Sequence, residues 1–278
     1  FTEGAHDVNI FGRGEVHPDG RGAGVWVRRS KNVRIDGIVV SQLPIGQCDS
    51  VELTNVKSIS YYGWGDGMDV FSSSNVILDG VFCRNSDDCA AVYASTQGFK
   101  GGSNNVLVKN ATLWADVAHP INIGGHGDPN GMDTVQNVTF RNIDILDQAE
   151  KQIDYQGCLA INPGDNTLVR NITFENIRIE DFRNGQLVNF RISFNPKYCV
   201  STGRGIQNVL VKDVTYNGSG ENLSIIAGYD ENHKIFGIRF VNLVVNGRKI
   251  TDDMPGKPKW YKTGDMAGIF VGEHVENI

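Results

Sequence analysis

The chain has 278 residues, 40% of them hydrophobic and 21% charged, which is enough to bury a core as one large domain or two ordinary ones. Its formal net charge of −6 and its lack of long Lys and Arg runs argue against nucleic acid or an anionic membrane as partners. No apolar run approaches the roughly 20 residues of a membrane-spanning helix, and the 33 glycines indicate many tight turns.

The cysteines and sequons bear on the cellular location. The five cysteines form no Cys-x-x-Cys pair, so neither a zinc site nor another cofactor is predicted, while one or two disulfides are expected. Asn-x-Ser/Thr sequons occur at Asn110, Asn137, Asn171, Asn217 and Asn222. They fit a secreted or periplasmic glycoprotein, although the same Asn-led pattern belongs to the repeat described next. The start at Phe1, without Met or a signal peptide, suggests a processed or truncated chain that lacks an N-terminal cap.

A repeat led by asparagine runs along the chain. Each copy has an Asn, a polar and apolar alternation rich in β-branched residues, a second Asn, Asp or Gly, and another apolar pair. Copies begin at Asn9, Asn32, Asn55, Asn75, Asn105, Asn137, Asn171, Asn208 and Gly237, 20 to 37 residues apart. Alternation with a period of two indicates strands with one buried face, and no comparable stretch has the helical period.

Repeats of this length predict an all-β fold, a single-stranded right-handed parallel β-helix of about nine to ten coils. A β-sandwich is the alternative, but it would not explain why the same Asn-led strand returns once per period. The recurring Asn side chains should stack as a ladder along the axis. We expect a single domain over residues 1–278, with an irregular C-terminal cap at residues 250–278 in which residues 267–272 add a closing strand.

Four carboxylates are concentrated between residues 66 and 88. Asp66 precedes Asp87 and Asp88 by about one short coil, so stacking should bring them to the strand spacing of roughly 4.8 Å. Carboxylates this close share a proton, bind a cation or perform acid and base chemistry. Asp69 is left out of the cluster, because its offset of three from Asp66 would turn it to the other face of a regular strand.

These motifs resemble the polygalacturonases of glycoside hydrolase family 28. Residues 65–69 (Gly-Asp-Gly-Met-Asp) and 87–92 (Asp-Asp-Cys-Ala-Ala-Val) look like that family's Asn-Thr-Asp-Gly and Asp-Asp-Cys-Ile-Ala-Ile. Residues 118–124 (Ala-His-Pro-Ile-Asn-Ile-Gly) resemble its Gly-His-Gly-Ile-Ser-Ile-Gly. Residues 113–121 are similar to a tract of the related dextranase and isopullulanase family, glycoside hydrolase family 49. The resemblance implies an inverting glycoside hydrolase that acts on a polysaccharide or oligosaccharide.

The resemblance also implies roles for individual residues. Asp87 would be the general acid, and Asp66 with Asp88 would position and deprotonate water, with carboxyls roughly 6.5–9.5 Å apart as in inverting enzymes. His119 would tune the proton of the acid through a hydrogen bond. His126 lies in a literal Gly-His-Gly, but it follows the strand as a loop residue, so His119 is preferred.

The substrate prediction rests on departures from the family pattern. The Arg-Ile-Lys that binds uronate in polygalacturonases has as its counterpart residues 158–162, Cys-Leu-Ala-Ile-Asn, which carry no cation. A neutral glycan is therefore favoured over polygalacturonan, and a pectin-type substrate is the alternative. Asn162 is a predicted substrate contact, and Arg191 one coil later is a candidate to replace the missing cation. Trp64 and Trp114 offer aromatic faces on which sugar rings stack.

The sequence is also compatible with two other classes of function. A β-helical polysaccharide lyase would use the carboxylates to hold Ca²⁺ and a Lys or Arg as base, but Arg84 is the only basic residue within the acidic motifs. A non-catalytic carbohydrate-binding β-helix would not depend on the carboxylates for reaction. In each case we expect a monomer with a glycan partner and no nucleic acid, membrane, metal or cofactor.

Overall fold

The computed structural model describes residues 2–219 and 222–278, so Phe1, where the sequence suggested truncation, lies outside them. Strands of successive coils pair in parallel, and the prediction of a parallel β-helix is confirmed. No described stretch forms a helix long and apolar enough to cross a membrane. Two short 3-10 helices, Ile153–Tyr155 and Thr263–Ala267, interrupt the coils.

One strand from each coil forms the first sheet. Its ten described strands stack in chain order. They are Thr2–Glu3, Val27–Arg28, Ile45–Gly46, Val70–Phe71, Ala90–Tyr93, Ile121–Ile123, Gly157–Ile161, Gln186–Arg191, Ser224–Ala227 and Ile269–Val271. The last of these is the predicted closing strand, and it pairs with Ser224–Ala227.

The other strands complete the coils. The main path of the second sheet consists of His6–Phe11, Lys31–Asp36, Asp49–Thr54, Ser74–Asp79, Ser103–Ala115, Thr134–Asp147, Leu168–Ile179, Gly205–Tyr216, Ile235–Val245 and Arg248–Lys249. Beside it lie Glu15–Val16, Val39–Val40, Lys57–Ile59, Phe82–Asn85 and Val275–Glu276. The short strand Lys57–Ile59 pairs with Phe82–Asn85, which in turn pairs with residues 112–115 at the end of the long strand Ser103–Ala115. A long strand therefore replaces two separate short strands and covers two faces of the coil.

The core follows from the parallel register, because equivalent apolar residues of successive coils lie directly over one another. One such stack has less than 3% exposure throughout and consists of Val33, Val51, Val76, Val106, Val138, Ile172, Val209 and Ile238. Phe140, Phe174 and Phe190 form a second stack with ring centroids about 6 Å apart. Burial on neighbouring coils is the main stabilising term of such a fold.

The predicted asparagine ladder forms along the outside. Nδ2 of Asn105 donates to Oδ1 of Asn75 at 2.7 Å, and Nδ2 of Asn142 donates to Oδ1 of Asn110 at 2.7 Å. The ladder residues have φ near +55°, a left-handed conformation that Asn tolerates better than most residues. At the sequons Asn110, Asn137 and Asn171 the amide nitrogen that a glycan would occupy is therefore already a ladder donor.

Asn142→Ala is expected to lower the free energy of unfolding by about 2 kcal/mol, because Ala has no ladder hydrogen bonds and is strained at a φ of 57°. Asn142 donates to Asn110 and accepts from Asn176, so both bonds are lost. Urea unfolding of the variant and of the wild type measures the difference. Asn142→Gly is the control, since glycine removes the bonds without the strain; an Ala variant as stable as the Gly variant would contradict the explanation.

The disulfide expectation is corrected by the structure. All five cysteines are free and buried: Cys48, Cys83, Cys89, Cys158 and Cys199. Three of them, Cys83, Cys89 and Cys158, have no exposed surface and lie in the core cluster, where a thiol packs as a small apolar side chain.

Candidate active site

Stacking of coils brings the acidic motifs together. The backbone N of Gly67 donates to the carbonyl of Asp88 at 2.7 Å, and that of Cys89 donates to the carbonyl of His119 at 2.8 Å. Asp66, Asp87 and Asp88 thereby come to lie with carboxylate oxygens within 4.8 Å of one another. This separation is shorter than the roughly 6.5–9.5 Å expected between the carboxyls of an inverting pair.

The glycine at position 67 makes this close approach possible. A Cβ on Gly67 would lie 2.1 Å from the carbonyl oxygen of Cys89 and 2.8 Å from Oδ1 of Asn85, so no other side chain fits. Asn85 is fully buried and its Nδ2 donates to the carbonyl of Asp66 at 3.0 Å, which fixes the segment that carries the carboxylate.

Asp88 is held by four hydrogen bonds. Its Oδ1 accepts from the backbone N of His119 at 3.1 Å and from Nδ1 of His119 at 2.7 Å. Its Oδ2 accepts from the Tyr93 hydroxyl at 2.7 Å and from Nδ2 of Asn122 at 2.8 Å. Burial alone would raise the pKa of Asp88, but the charge of His119 and these hydrogen bonds lower it to about 2. The carboxylate is ionised, and its lone pairs are already occupied.

His119 forms a buried ion pair with Asp88. Only 4% of the residue is exposed; Nδ1 faces Asp88 and Nε2 faces the carbonyl of Tyr155. Burial by itself would lower the pKa of His119, but the charge of Asp88 and the hydrogen bond to it raise that pKa to about 9. Both ring N–H groups are therefore engaged. The expected hydrogen bond from His119 to the acid Asp87 does not form, because the imidazolium is bound to Asp88 instead.

Asp66 and Asp87 hold their protons more tightly than ordinary aspartates. Burial, followed by repulsion from neighbouring carboxylates, raises the pKa of both groups. They are coupled to each other and to Asp88, whose fixed negative charge opposes a second ionisation beside it. The cluster thus combines one permanent anion with two groups that lose their protons near neutral pH, since the pKa of Asp87 is raised to about 7 and that of Asp66 to about 8.

Asp69 lines the cavity beside the three clustered carboxylates, although the sequence predicted it on the other face of the strand. It is 4% exposed, lines the same cavity, and its Oδ1 has no hydrogen-bond partner in the described part of the chain. Burial and the charges of Asp66 and Asp88 raise its pKa well above the usual value. The prediction assumed strand alternation, but the strand begins only at Val70 and a bend at Met68 turns Asp69 toward Asp66.

The cluster opens into a cavity of about 860 Å³. Besides the acids and His119, its lining includes Tyr61, Trp64, Tyr93, Val117, Asn122, His126, Glu150, Gln152, Tyr155, Lys197 and Tyr198. Trp64 is 86% exposed at its margin, as a sugar-stacking residue would be. His126 also reaches the cavity, where its ring packs edge-on against Tyr93 at 5.0 Å and burial lowers its pKa.

The structure does not bring the other predicted substrate contacts to this cavity. Trp114 lies beneath the guanidinium of Arg84, 4.2 Å from the ring centroid. Asn162 is 3% exposed and donates to Oδ1 of Asn189 at 2.8 Å. Arg191 is paired with Asp154 at 3.0 Å.

Sequence reasoning missed Asn122, Glu150 and Lys197. The sequence does contain a sign of the role of Asn122. It lies between Ile121 and Ile123 in a strand that is buried on both faces, and a polar side chain there needs a hydrogen-bond partner. Glu150 and Lys197 lie in irregular segments whose course no periodicity predicts.

A parallel β-helix with a carboxylate cluster in its cavity fits the class of β-helical glycoside hydrolases. Within this class the chain belongs to glycosyl hydrolases family 28, whose family model matches residues 23–253.

Individual relatives agree with this membership. A polygalacturonase of Juniperus ashei is 26% identical over 216 residues, which are 74% of this chain and 39% of the relative. An exopolygalacturonase of Cochliobolus carbonum is 25% identical over 216 residues, 65% of this chain and 46% of the relative. The solved structure of a family 28 exopolygalacturonase from Yersinia enterocolitica shares the fold, with a TM-score of 0.64 at 15% identity. The superposition covers 91% of this chain and 46% of that structure. The chain spans less than half the length of these relatives.

The charges of the site predict that the protein is most stable in mildly acidic solution. Asp88 has a lowered pKa, so its contribution to stability is present above about pH 4 and is lost as the pH falls toward 2. His119 has a raised pKa, so its contribution is complete below about pH 6.5 and is lost as the pH rises toward 9. The raised pKa values of Asp66, Asp69 and Asp87 also make stability fall as the pH rises above about 4.

Thermal unfolding followed by circular dichroism between pH 3 and 9 tests this expectation. The midpoint should be highest at about pH 4–6, where the contributions of Asp88 and His119 are both present, and should decline toward pH 9. Asp69→Asn should flatten the decline. A midpoint that rises steadily from pH 5 to 9 would contradict the assignment.

Proposed function

We propose that this chain hydrolyses glycosidic bonds of a polysaccharide or oligosaccharide with inversion at the anomeric carbon. The observation that carries the proposal is the carboxylate cluster in an open cavity, in which Asp66 and Asp87 form a coupled pair beside the permanently ionised Asp88. Once this pair has lost the first of its two protons, one carboxyl remains a proton donor and the other becomes a proton acceptor. Glycoside hydrolysis needs one protonated carboxyl and one proton acceptor on either side of the scissile bond. Membership of family 28 supports the same reaction class.

In the proposed reaction Asp87 donates its proton to the glycosidic oxygen as the bond from that oxygen to the anomeric carbon breaks. In the reactive state the pair holds one proton, which is on Asp87, so that Asp66 is ionised. A water molecule attacks the anomeric carbon and gives its proton to Asp66. Two oxygens within 4.8 Å of each other are both reached by one water at about 2.8 Å, so the short separation fits a bound nucleophilic water. Each turnover leaves Asp66 protonated and Asp87 ionised, and a proton exchange through solvent restores the starting state.

Asp88 has a different role from the one the resemblance implied. Its oxygens already accept four hydrogen bonds from His119, Tyr93 and Asn122, which leaves no lone pair free to deprotonate water. We propose that it acts as a fixed negative charge that raises the pKa of Asp87 and favours the positive charge that develops on the sugar. Asp66 alone is then the base.

The substrate class depends on where cations face the cavity. The neutral-glycan prediction rested on the absence of a cation at residues 158–162, and that absence supports it still. Lys197 nevertheless lines the cavity from a later coil and favours the second candidate, an acidic pectin-type glycan. The relatives that match the chain include proteins named polygalacturonase and endo-xylogalacturonan hydrolase. A polymeric substrate of this kind lies outside the cytoplasm, so we propose that the protein acts as a secreted or periplasmic monomer.

Incubation with a panel of glucans, galactans and pectins tests the function. New reducing ends are expected, and proton NMR at early times should show the inverted anomer. A retained anomer would contradict inversion, and an unsaturated product absorbing in the ultraviolet would indicate a lyase. Binding without any new reducing ends would indicate a carbohydrate-binding module.

A further inference from the structure

The five Asn-x-Ser/Thr sequons of the chain occupy different places in the fold. Three of them lie within long strands of the second sheet, and their asparagines belong to the ladder: Asn110, Asn137 and Asn171. The other two, at Asn217 and Asn222, lie between the strands Gly205–Tyr216 and Ser224–Ala227. An N-linked glycan occupies the amide nitrogen of its asparagine, so the contacts of that atom distinguish the five sequons.

The fold uses the amide nitrogen at each ladder sequon. Nδ2 donates there to Oδ1 of a side chain in the preceding coil, over 2.7–3.1 Å. Neighbouring coils lie about 4.8 Å apart, so a sugar on this nitrogen would have to share that narrow space with the ladder bond. The stacking of coils therefore disfavours a glycan at these three positions.

The sequon at Asn222 is also engaged in the fold. Nδ2 of Asn222 donates to Oε1 of Gln156 at 3.1 Å, and Gln156 is only 6% exposed. Nε2 of Gln156 in turn donates to the carbonyl of Glu150 at 3.2 Å. The hydroxyl of Ser224, the third residue of this sequon, is buried and accepts from the backbone N of Val188 at 3.1 Å. A glycan on Asn222 would thus disturb a buried set of contacts.

Asn217 differs from the other four because its amide group is not used by the fold. The residue is exposed, and its side chain has no hydrogen-bond partner within residues 2–219 and 222–278. Its backbone is nevertheless fixed, since the backbone N of Asn217 donates to the carbonyl of Ile179 at 3.0 Å. Asn217 is not among the residues that line the carboxylate cavity. The side chain is therefore held on an ordered backbone at a free surface.

The two residues that complete this sequon form an ordered turn. The backbone N of Gly218 donates to Oδ1 of Asn246 at 2.9 Å, and the carbonyl of Gly218 accepts from Nδ2 of Asn246 at 2.8 Å. Oδ1 of Asp181 accepts from the backbone N of Ser219 at 2.9 Å. A Cβ on Gly218 would lie 2.5 Å from the hydroxyl of Tyr216, so the turn requires glycine between Asn217 and Ser219.

We propose that Asn217 is the site at which this protein carries an N-linked glycan when it passes through a secretory pathway. In the transfer, Nδ2 of Asn217 forms a bond to the anomeric carbon of a lipid-linked oligosaccharide diphosphate. The bond from that carbon to the phosphate oxygen breaks, the lipid diphosphate leaves, and the amide gives one proton to a base of the transferase. Because no bond of the fold uses this nitrogen, the glycosylated chain still forms every hydrogen bond described above.

Secretion of the chain from yeast, behind a yeast signal sequence, tests the assignment. Peptide N-glycosidase in heavy-oxygen water converts each occupied asparagine into labelled aspartate, which peptide mass mapping locates. We expect the label at position 217 alone. Asn217→Gln should abolish the mass shift that the glycosidase causes in the intact protein, and Asn222→Gln, the matched control, should retain it. Ser219→Ala, which destroys the sequon without altering Asn217, should abolish the shift, and Ser219→Thr should keep it.

Two results would overturn the proposal. One is a secreted, folded protein whose mass the glycosidase does not change. The other is labelled aspartate at any of the other four sequons in folded protein, which would mean that the hydrogen bonds of the amide nitrogen do not decide where a glycan is carried. Circular dichroism verifies the fold of each variant. Neither result depends on hydrolysis, which the release of reducing ends tests separately.

Discussion

Asp87→Asn is expected to lower the rate of hydrolysis by about 10³-fold, because the Asn amide has no acidic proton to give to the leaving oxygen. The substitution keeps the shape of the side chain and removes a buried carboxyl whose pKa is raised, so the fold should be retained. The release of reducing ends under saturating substrate measures the loss, and thermal unfolding confirms the fold.

The matched control is Asp144→Asn, which changes a carboxylate in the second sheet that pairs with Arg178 and lies outside the cavity. It should retain full activity. An aryl glycoside with a good leaving group should recover much of the rate in the Asp87→Asn variant, since departure of that group needs little protonation. A fall of less than tenfold on the natural linkage would refute the assignment of Asp87 as the acid.

His119→Ala should have the largest effect on stability, with a loss of about 3–5 kcal/mol, because it leaves the Asp88 carboxylate buried without its counter-charge. Hydrolysis should fall by more than about 100-fold as the cluster loses its fixed arrangement. Chemical unfolding and reducing-end release measure the two effects. His126→Ala is the natural comparison, since His126 also lines the cavity but packs edge-on against Tyr93 and forms no ion pair with Asp88; it should cost less than tenfold in rate.

A second variant, which should keep the fold, shows whether the loss of activity in His119→Ala is caused by unfolding alone. Tyr93→Phe removes one hydrogen-bond donor from Oδ2 of Asp88 and preserves the ring that packs on Phe71 at 5.9 Å. It should raise the pKa of Asp88 and shift the pH profile of hydrolysis, without affecting the stability as strongly as His119→Ala. Loss of turnover in His126→Ala with full activity in His119→Ala would contradict the choice of histidine.

The sequence predicted the elements of the fold that depend on repetition. Asn-led strands at regular intervals determine which residues lie above one another, and this sufficed for the parallel β-helix and its ladder. The spacing of Asp66 from Asp87 and Asp88 predicted their proximity in the same way. These inferences require only that equivalent positions of successive coils coincide.

Residues that leave the repeat were harder to place. Asp69 was excluded by an alternation rule that does not apply across the bend at Met68. Trp114 belongs to a long strand, and its side chain faces Arg84 instead of the cavity. The short distance in sequence from Trp114 to His119 did not predict this orientation. Lys197 reaches the cavity from a loop whose path depends on bonds to Asn195 and Asp165, and such contacts have no signature in the spacing of residues.

The stacking of coils has a consequence for how such a site changes over evolution. Asp66, Asp87 and His119 come from three successive coils, and Lys197 comes from a loop further along the same stack. Because each coil of a solenoid contacts only its neighbours, a loop can be exchanged with little effect on the register of the others. Loops that line the cavity, such as the one that carries Lys197, can therefore change while the coils that carry Asp66, Asp87 and His119 keep their register.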